Sequence, residues 1–258
     1  MGSTVGIIKD DGARTGIADA WPRVSGDGAE VVLSPPVPWA ELGRRAGILI
    51  VDVSEGTICE CLAALGAVAG PQTAIVTSSS VVPLSVVRSC VGDGPALFRV
   101  VGPLGAEPGE GVVAVAPEPG TAKEITERVR AALAWIGTVE IVAEDALDAV
   151  AALAIGGAGF LCEALQGLEE GAVRDGLPRE NARAFAHHTL LATALLLRDH
   201  AGSPADLKDQ VASPGGTTIA ALASLEDAGV RGAYIRAVQR TAVEVRRRRD
   251  AARSGVVE

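Results

Sequence analysis

The chain has 258 residues, enough for one large domain or two ordinary ones. Hydrophobic residues at 48% and charged residues at 21% are the balance of a soluble globular protein, while aromatics at 3% leave the core to Ala, Val, Leu and Ile. A net charge of −9 speaks against nucleic acid or an anionic membrane as a general partner.

In chain order, the first half alternates short apolar runs with helical patterns. STVGII (3–8), AEVVLS (29–34), GILIVDV (47–53), TAIVTS (73–78), ALFRVV (96–101) and EGVVAVAP (110–117) read as strands covered on both faces, with TVEIVA following as the last. Between them PWAELGRRA, EGTICECLAALGAVA and VVPLSVVRSCV read as crossover helices. TAKEITERVRAALAWIG reads as an amphipathic helix opened by a capping box of Thr121 and Glu124. Such alternation predicts an α/β fold, a doubly wound, Rossmann-like parallel sheet over residues 1–143.

From Glu144 the strand signals stop, and residues 144–258 are expected to be all helix. EDALDAVAALAIGGAGFLCEALQGLEEGAVRDG reads as one long apolar helix, and PRENARAFAHHTLLATALLLRDH as another with Pro178 at its start. These helices are apolar on more than one face, so either the bundle buries its centre or it packs on a second copy. The basic run RRRRD at 246–250 closes the last helix, where cations suit a solvated C-terminus. No apolar run reads as long enough to span a bilayer, and no leader is seen at the N-terminus. Cys59, Cys61, Cys90 and Cys162 form no CxxC pair and no metal spacing, which predicts a cytoplasmic protein with reduced thiols and no metal.

One stretch is unusual for a helical region. DLKDQVASPGGTTIAAL (206–222) places a Pro, two Gly and three hydroxyls in a single turn before an apolar helix. Such a turn presents consecutive backbone N–H groups at a helix start, where an anion is favoured. The plain alternative is a joint capped by Ser213 or Thr217.

That stretch resembles the C-terminal signature of the 1-pyrroline-5-carboxylate reductase family, with Leu207–Val211, Ser213–Thr218 and Leu225–Arg231 matching without a gap. GLPRENA (176–182) and WIGTVEIVAEDALDAVAAL (135–153) are similar to the family in the same order. The resemblance implies a reductase of a small cyclic imino acid that uses NADPH or NADH, with two chains pairing through the helical domain as a homodimer. It also implies that Ser213, Gly215, Gly216, Thr217 and Thr218 hold the substrate carboxylate, with Thr218 close to the ring nitrogen. Among the histidines, His187 and His188 are adjacent in a helix and point about 100° apart. His200, beside Asp199 and near the turn, is the better candidate for proton transfer.

The opening of the chain departs from the family. Its Gly-x-Gly-x-x-Gly turn, aligned on VGII, meets Lys9, Asp11 and Arg14 instead of glycines. A shifted alignment keeps Gly12 and Gly16, with Arg14 between them, as the residues left to hold a cofactor. Asp10 and Asp11 put carboxylates where phosphates would sit, each repulsion costing about 1 kcal/mol in water and about 4 near a protein surface. VGPLG (101–105) and IGGAGF (155–160) have also lost polar groups of the family's substrate side. A rival expectation therefore stands beside the reductase: a nucleotide-free relative acting as a cyclase or isomerase on an amino acid, or as a non-catalytic partner of a true reductase.

Overall fold

The β–α alternation is present in the computed structural model of the chain, which describes residues 4–10, 31–34, 37–102, 109–200 and 202–254. Seven strands among the described residues form one sheet: β1 (Val5–Lys9), β2 (Val31–Ser34), β3 (Ile48–Asp52), β4 (Ala74–Thr77), β5 (Ala96–Val101), β6 (Gly111–Pro117) and β7 (Gly137–Ile141). Their order is β2-β1-β3-β4-β5-β6-β7. Every neighbouring pair is parallel except β5–β6, so β6 and β7 run against the rest and the sheet is mixed rather than all parallel.

Period-two alternation along continuous apolar runs lets both faces be buried. Ile8, Leu49, Val51, Ile75 and Leu97 fill one face, packing on α1 (Trp39–Arg45), α2 (Glu55–Gly66) and α3 (Leu84–Val91). Ile7, Ile50, Val76, Phe98, Val100 and Val113 fill the other, under Val129 and Leu133 of α4 (Lys123–Leu133). Helices α2 and α3 lie so close that a Cβ on Gly66 would stand 2.0 Å from the Val91 carbonyl oxygen. The same closeness joins Cys59 to Cys90 as a disulfide, with Cα atoms 5.4 Å apart. The expectation of four reduced thiols is corrected here, because spacing along the chain carries no trace of two helices meeting. Cys61, buried, and Cys162, exposed, remain free.

The expected capping box on α4 is not made. Ala122 takes the N-cap with no side-chain bond, and the Thr121 hydroxyl instead donates to the Glu118 carbonyl at 2.7 Å.

The helical region comprises α5 (Leu147–Ala154), α6 (Gly156–Arg174), α7 (Arg179–Asp199), α8 (Pro204–Val211), α9 (Thr217–Asp227) and α10 (Val230–Arg253). The long apolar helix expected from Glu144 onward is interrupted only at Ile155. By length and composition Glu144–Arg174 is apolar enough to cross a membrane, at mean hydropathy 1.6, which corrects the expectation that no run is. Chain contacts divide the molecule into two compact units, Met1–Gly156 with Gln239–Glu258, and Gly157–Val238. The last strand, β7, ends at Ile141, while the first helical turns and the end of the last helix belong with the sheet.

In the sheet unit, the returning end of α10 places Val245 against Val101, Ala114, Leu147 and Ala151. Arg249 is buried there, its Nη1 2.7 Å from an Asp148 oxygen and 3.6 Å from Asp145. The basic run is therefore not wholly a solvated end. One of its arginines faces inward because α10 continues to Arg253 and lies along the element that carries Asp148. The helical unit, by contrast, has no core of its own among the described residues. Only Ala182 and Ala186 are buried, while Leu168, Phe185, Leu191, Leu196 and Ile235 are each more than half exposed.

Candidate functional site

The hydroxyl-rich turn joins α8 to α9. Upstream, a capping box fixes the start of α8: the Ser203 hydroxyl accepts from the Asp206 N–H, and the Asp206 carboxylate accepts from the Ser203 N–H at 2.6 Å. Those Ser203 bonds hold the Asp206 carboxyl below its usual range, first through the backbone N–H and then through the hydroxyl. Downstream, the Gly216 N–H donates to the Ser213 carbonyl at 3.0 Å, and Gly215 turns the chain at φ +70°.

Gly216 is the N-cap of α9, and no side chain caps it. The expected cap by Ser213 or Thr217 is therefore absent, and among the described residues no side chain is seen on the first amides of α9. Ser213 Oγ lies over the turn, only 2.3 Å from where a Gly216 Cβ would stand. Ser213, Gly215, Thr217 and Thr218 are exposed and Gly216 is half-buried. One short bend thus brings together all five residues expected to hold substrate. It offers free amides, the positive end of a helix dipole and three hydroxyls, a combination suited to a small carboxylate.

His200 ends α7 one short helix earlier, with its Nε2 buried and without a hydrogen-bond partner. Its neighbours are Gly202 and the Asp206 carboxylate rather than the turn. His187 and His188 are both exposed on α7.

A second polar cluster lies at the carboxyl end of the sheet. β1 pairs with β2 on one side and β3 on the other, so the chain leaves β1 in both directions. In open α/β sheets ligands bind at such a switch point, outside the strand ends. Asp10 follows β1 directly, and its carboxylate accepts from the Ser54 N–H at 2.9 and 3.1 Å and from the Ser54 hydroxyl at 2.8 Å. Ser54 is the N-cap of α2, and its hydroxyl also meets Thr57 Oγ1 at 3.0 Å. Beside it, buried Asp52 at the end of β3 accepts from the Ser78 hydroxyl at 2.6 Å. Burial, then Asp10 and Glu60, push the Cys61 thiol up to about 12.

These residues do not fit a dinucleotide pyrophosphate held in the usual way, since a carboxylate already stands between the ends of β1 and β3. Gly12, Arg14 and Gly16, expected to hold a cofactor, lie outside the described residues.

Sequence reasoning passed over Arg99, although a single arginine in ALFRVV was a signal. Its side chain is fully buried; Nε donates to the Ser79 carbonyl at 2.9 Å, Nη2 to Ser80, and Nη1 to Glu144 at 3.2 Å. The same Glu144 oxygen accepts from the Leu84 N–H at 2.7 Å. Arg99 thereby pins the loop after β4, and Glu144 ties it to the start of α3. Among the described residues no three His, Cys, Asp or Glu side chains are grouped to share a metal ion.

Residues 144–248 match the family described as pyrroline-5-carboxylate reductase dimerisation. That region includes the apolar segment of membrane-span length and all five turn residues. A pyrroline-5-carboxylate reductase of Methanosarcina acetivorans is 31% identical over 234 residues, covering 91% of this chain and 81% of the relative. Among solved structures, a pyrroline-5-carboxylate reductase from Coxiella burnetii aligns over 96% of this chain and 99% of its own at TM-score 0.80 and 19% identity. One from Plasmodium falciparum, with NADP bound, aligns over 96% and 98% at TM-score 0.75 and 18% identity.

Proposed function

The chain belongs to the pyrroline-5-carboxylate reductase family, and on that premise we propose that it is a divergent imine reductase acting on a small cyclic imino acid. The observation that carries the reading is the uncapped start of α9. Gly216 leaves the first amides of the helix without a side-chain partner, and Ser213, Thr217 and Thr218 bring hydroxyls beside them. A substrate carboxylate docked there is held by amide and hydroxyl donors and by the helix dipole. Gly215 and Gly216 let the backbone approach the ligand closely.

In this reading Thr218 donates to the ring nitrogen, and the proton that nitrogen gains as the C=N bond is reduced comes from solvent, because His200 keeps its Nε2 buried beside Gly202 and the Asp206 carboxylate. The reductant is NADPH or NADH. The described residues at the switch point, Asp10 and Ser54, fit its pyrophosphate poorly. A homodimer belongs to the same proposal. The helical unit exposes its large apolar side chains and has almost nothing buried, and a second copy covers such faces at the cost of no further chain. A cytoplasmic setting is proposed as well, where the ambient thiol poise decides whether the Cys59–Cys90 pair is closed.

The test is imine-dependent oxidation of NADPH and of NADH by the purified protein, with proline binding measured in parallel. The expected result is turnover with at least one nucleotide. Proline binding without turnover with either would refute the reductase reading while leaving the carboxylate turn in place.

A further inference from the structure

The switch point between β1 and β3 already holds an anion. Asp10 is the first residue beyond β1, and Ser54 lies two residues beyond β3, so their bonds close the gap between neighbouring strand ends across 44 positions of sequence. Ser54 gives both its backbone N–H and its hydroxyl to this one carboxylate. The N–H is at the start of α2, a helix of 12 residues, where its dipole favours negative charge. A pyrophosphate approaching the end of β1 therefore meets a like charge, and Ser54 donors that are already engaged. The charge is also felt inside the fold, since Asp10 is among the causes that raise the Cys61 thiol.

We infer that Asp10 is a built-in competitor of the dinucleotide: its carboxylate, seated on Ser54 at the switch point, limits how tightly the pyrophosphate of NADPH or NADH is held. The inference rests on the reading above only in taking a nicotinamide dinucleotide as the ligand of this sheet. It makes nucleotide affinity one property in which this chain has diverged. Asp10→Asn removes that negative charge at nearly unchanged side-chain volume.

The test is direct titration of NADPH and NADH, by calorimetry and by the fluorescence of the reduced nicotinamide, into the full-length protein. Wild-type protein, Asp10→Asn, Asp10→Gly and the charge-keeping Asp10→Glu are compared, with far-UV circular dichroism confirming the fold of each. Removing one unit charge from contact with a phosphate predicts binding about tenfold tighter or more for Asp10→Asn and Asp10→Gly. The gain shrinks as salt is raised from low to physiological strength, and Asp10→Glu shows none of it. Wild-type protein binds either nucleotide no tighter than about 100 µM.

Low-micromolar binding by wild type overturns the inference by itself, even if no variant folds. Unchanged dissociation constants in Asp10→Asn and Asp10→Gly overturn it as well. Tighter binding without imine turnover leaves the inference standing and removes the reductase reading. Turnover with unchanged binding does the reverse.

Discussion

Replacing Arg249 tests how the last helix is fastened to the sheet unit. Its Nη1 is 2.7 Å from Asp148, and the two side chains are 9% and 2% exposed, so both charges are out of water. Removing one partner of such a pair leaves the other buried and unpaired, which costs about 3–5 kcal/mol. Arg249→Met should lose that much. Asp148→Asn should lose less, about 1–2 kcal/mol, because Arg249 keeps Asp145 at 3.6 Å and Asp250 at 3.7 Å and the amide still accepts a hydrogen bond. Combining Asp148→Leu with Arg249→Met should restore most of the loss, since no orphaned charge remains.

The pH dependence separates this account from simple loss of packing. Burial raises the Asp148 carboxyl, and Arg249 is the largest influence pulling it down. Without Arg249 the folded-state value climbs further above the unfolded value of about 3.9. A carboxyl raised in the folded state binds more protons folded than unfolded within that window. Stability therefore falls as pH rises through it, and is kept below it. The deficit of Arg249→Met should be large at pH 7 and shrink toward pH 4, while the double variant shows no such slope. The assay is urea unfolding at fixed protein concentration, followed by the fluorescence of Trp39 and Trp135, which pack on the two sheet faces. A deficit under about 1 kcal/mol, or one that does not change with pH, refutes the argument.

Two further outcomes follow from close contacts. Gly216→Ala places a methyl against Ser213 Oγ and 3.1 Å from the Ser213 carbonyl oxygen, so the hydroxyl must swing off the turn. Loss of one hydrogen bond to a carboxylate should raise KM about tenfold or more with little change in melting temperature, as steady-state kinetics and calorimetry will show. For the disulfide, closing a loop across a separation of 31 residues predicts that Cys59→Ser lowers stability by about 3–4 kcal/mol under oxidising conditions and by almost nothing in strong reductant. Thiol titration of the denatured, unreduced protein should count only Cys61 and Cys162, and four thiols would show the pair open.

What the sequence disclosed follows from how local each feature is. The strands were legible because both faces of the sheet are buried, which forces continuous apolar runs such as ILIVD and AIVT. The turn was legible for a similar reason: its amides, glycines and hydroxyls are all neighbours along the chain. The reversal of β6 was not, because an apolar run carries no direction. Cys59 with Cys90, and Arg249 with Asp148, were not legible either, since each pair depends on where two helices come to rest.

The carboxyl end of the sheet lies between these cases. Lost glycines and the acidic pair Asp10–Asp11 announced trouble for a phosphate, but Ser54 looked like an ordinary helix cap. Only the strand order, which sets β3 beside β1, turns it into the partner of Asp10. A helix N-terminus attracts whichever anion reaches it first, and a tethered carboxylate is always at hand, whereas a dissolved nucleotide must displace it. The two polar clusters of this chain thus differ in one physical respect: the bend before α9 keeps its amides open to a ligand, and the amide at the start of α2 has been answered from within.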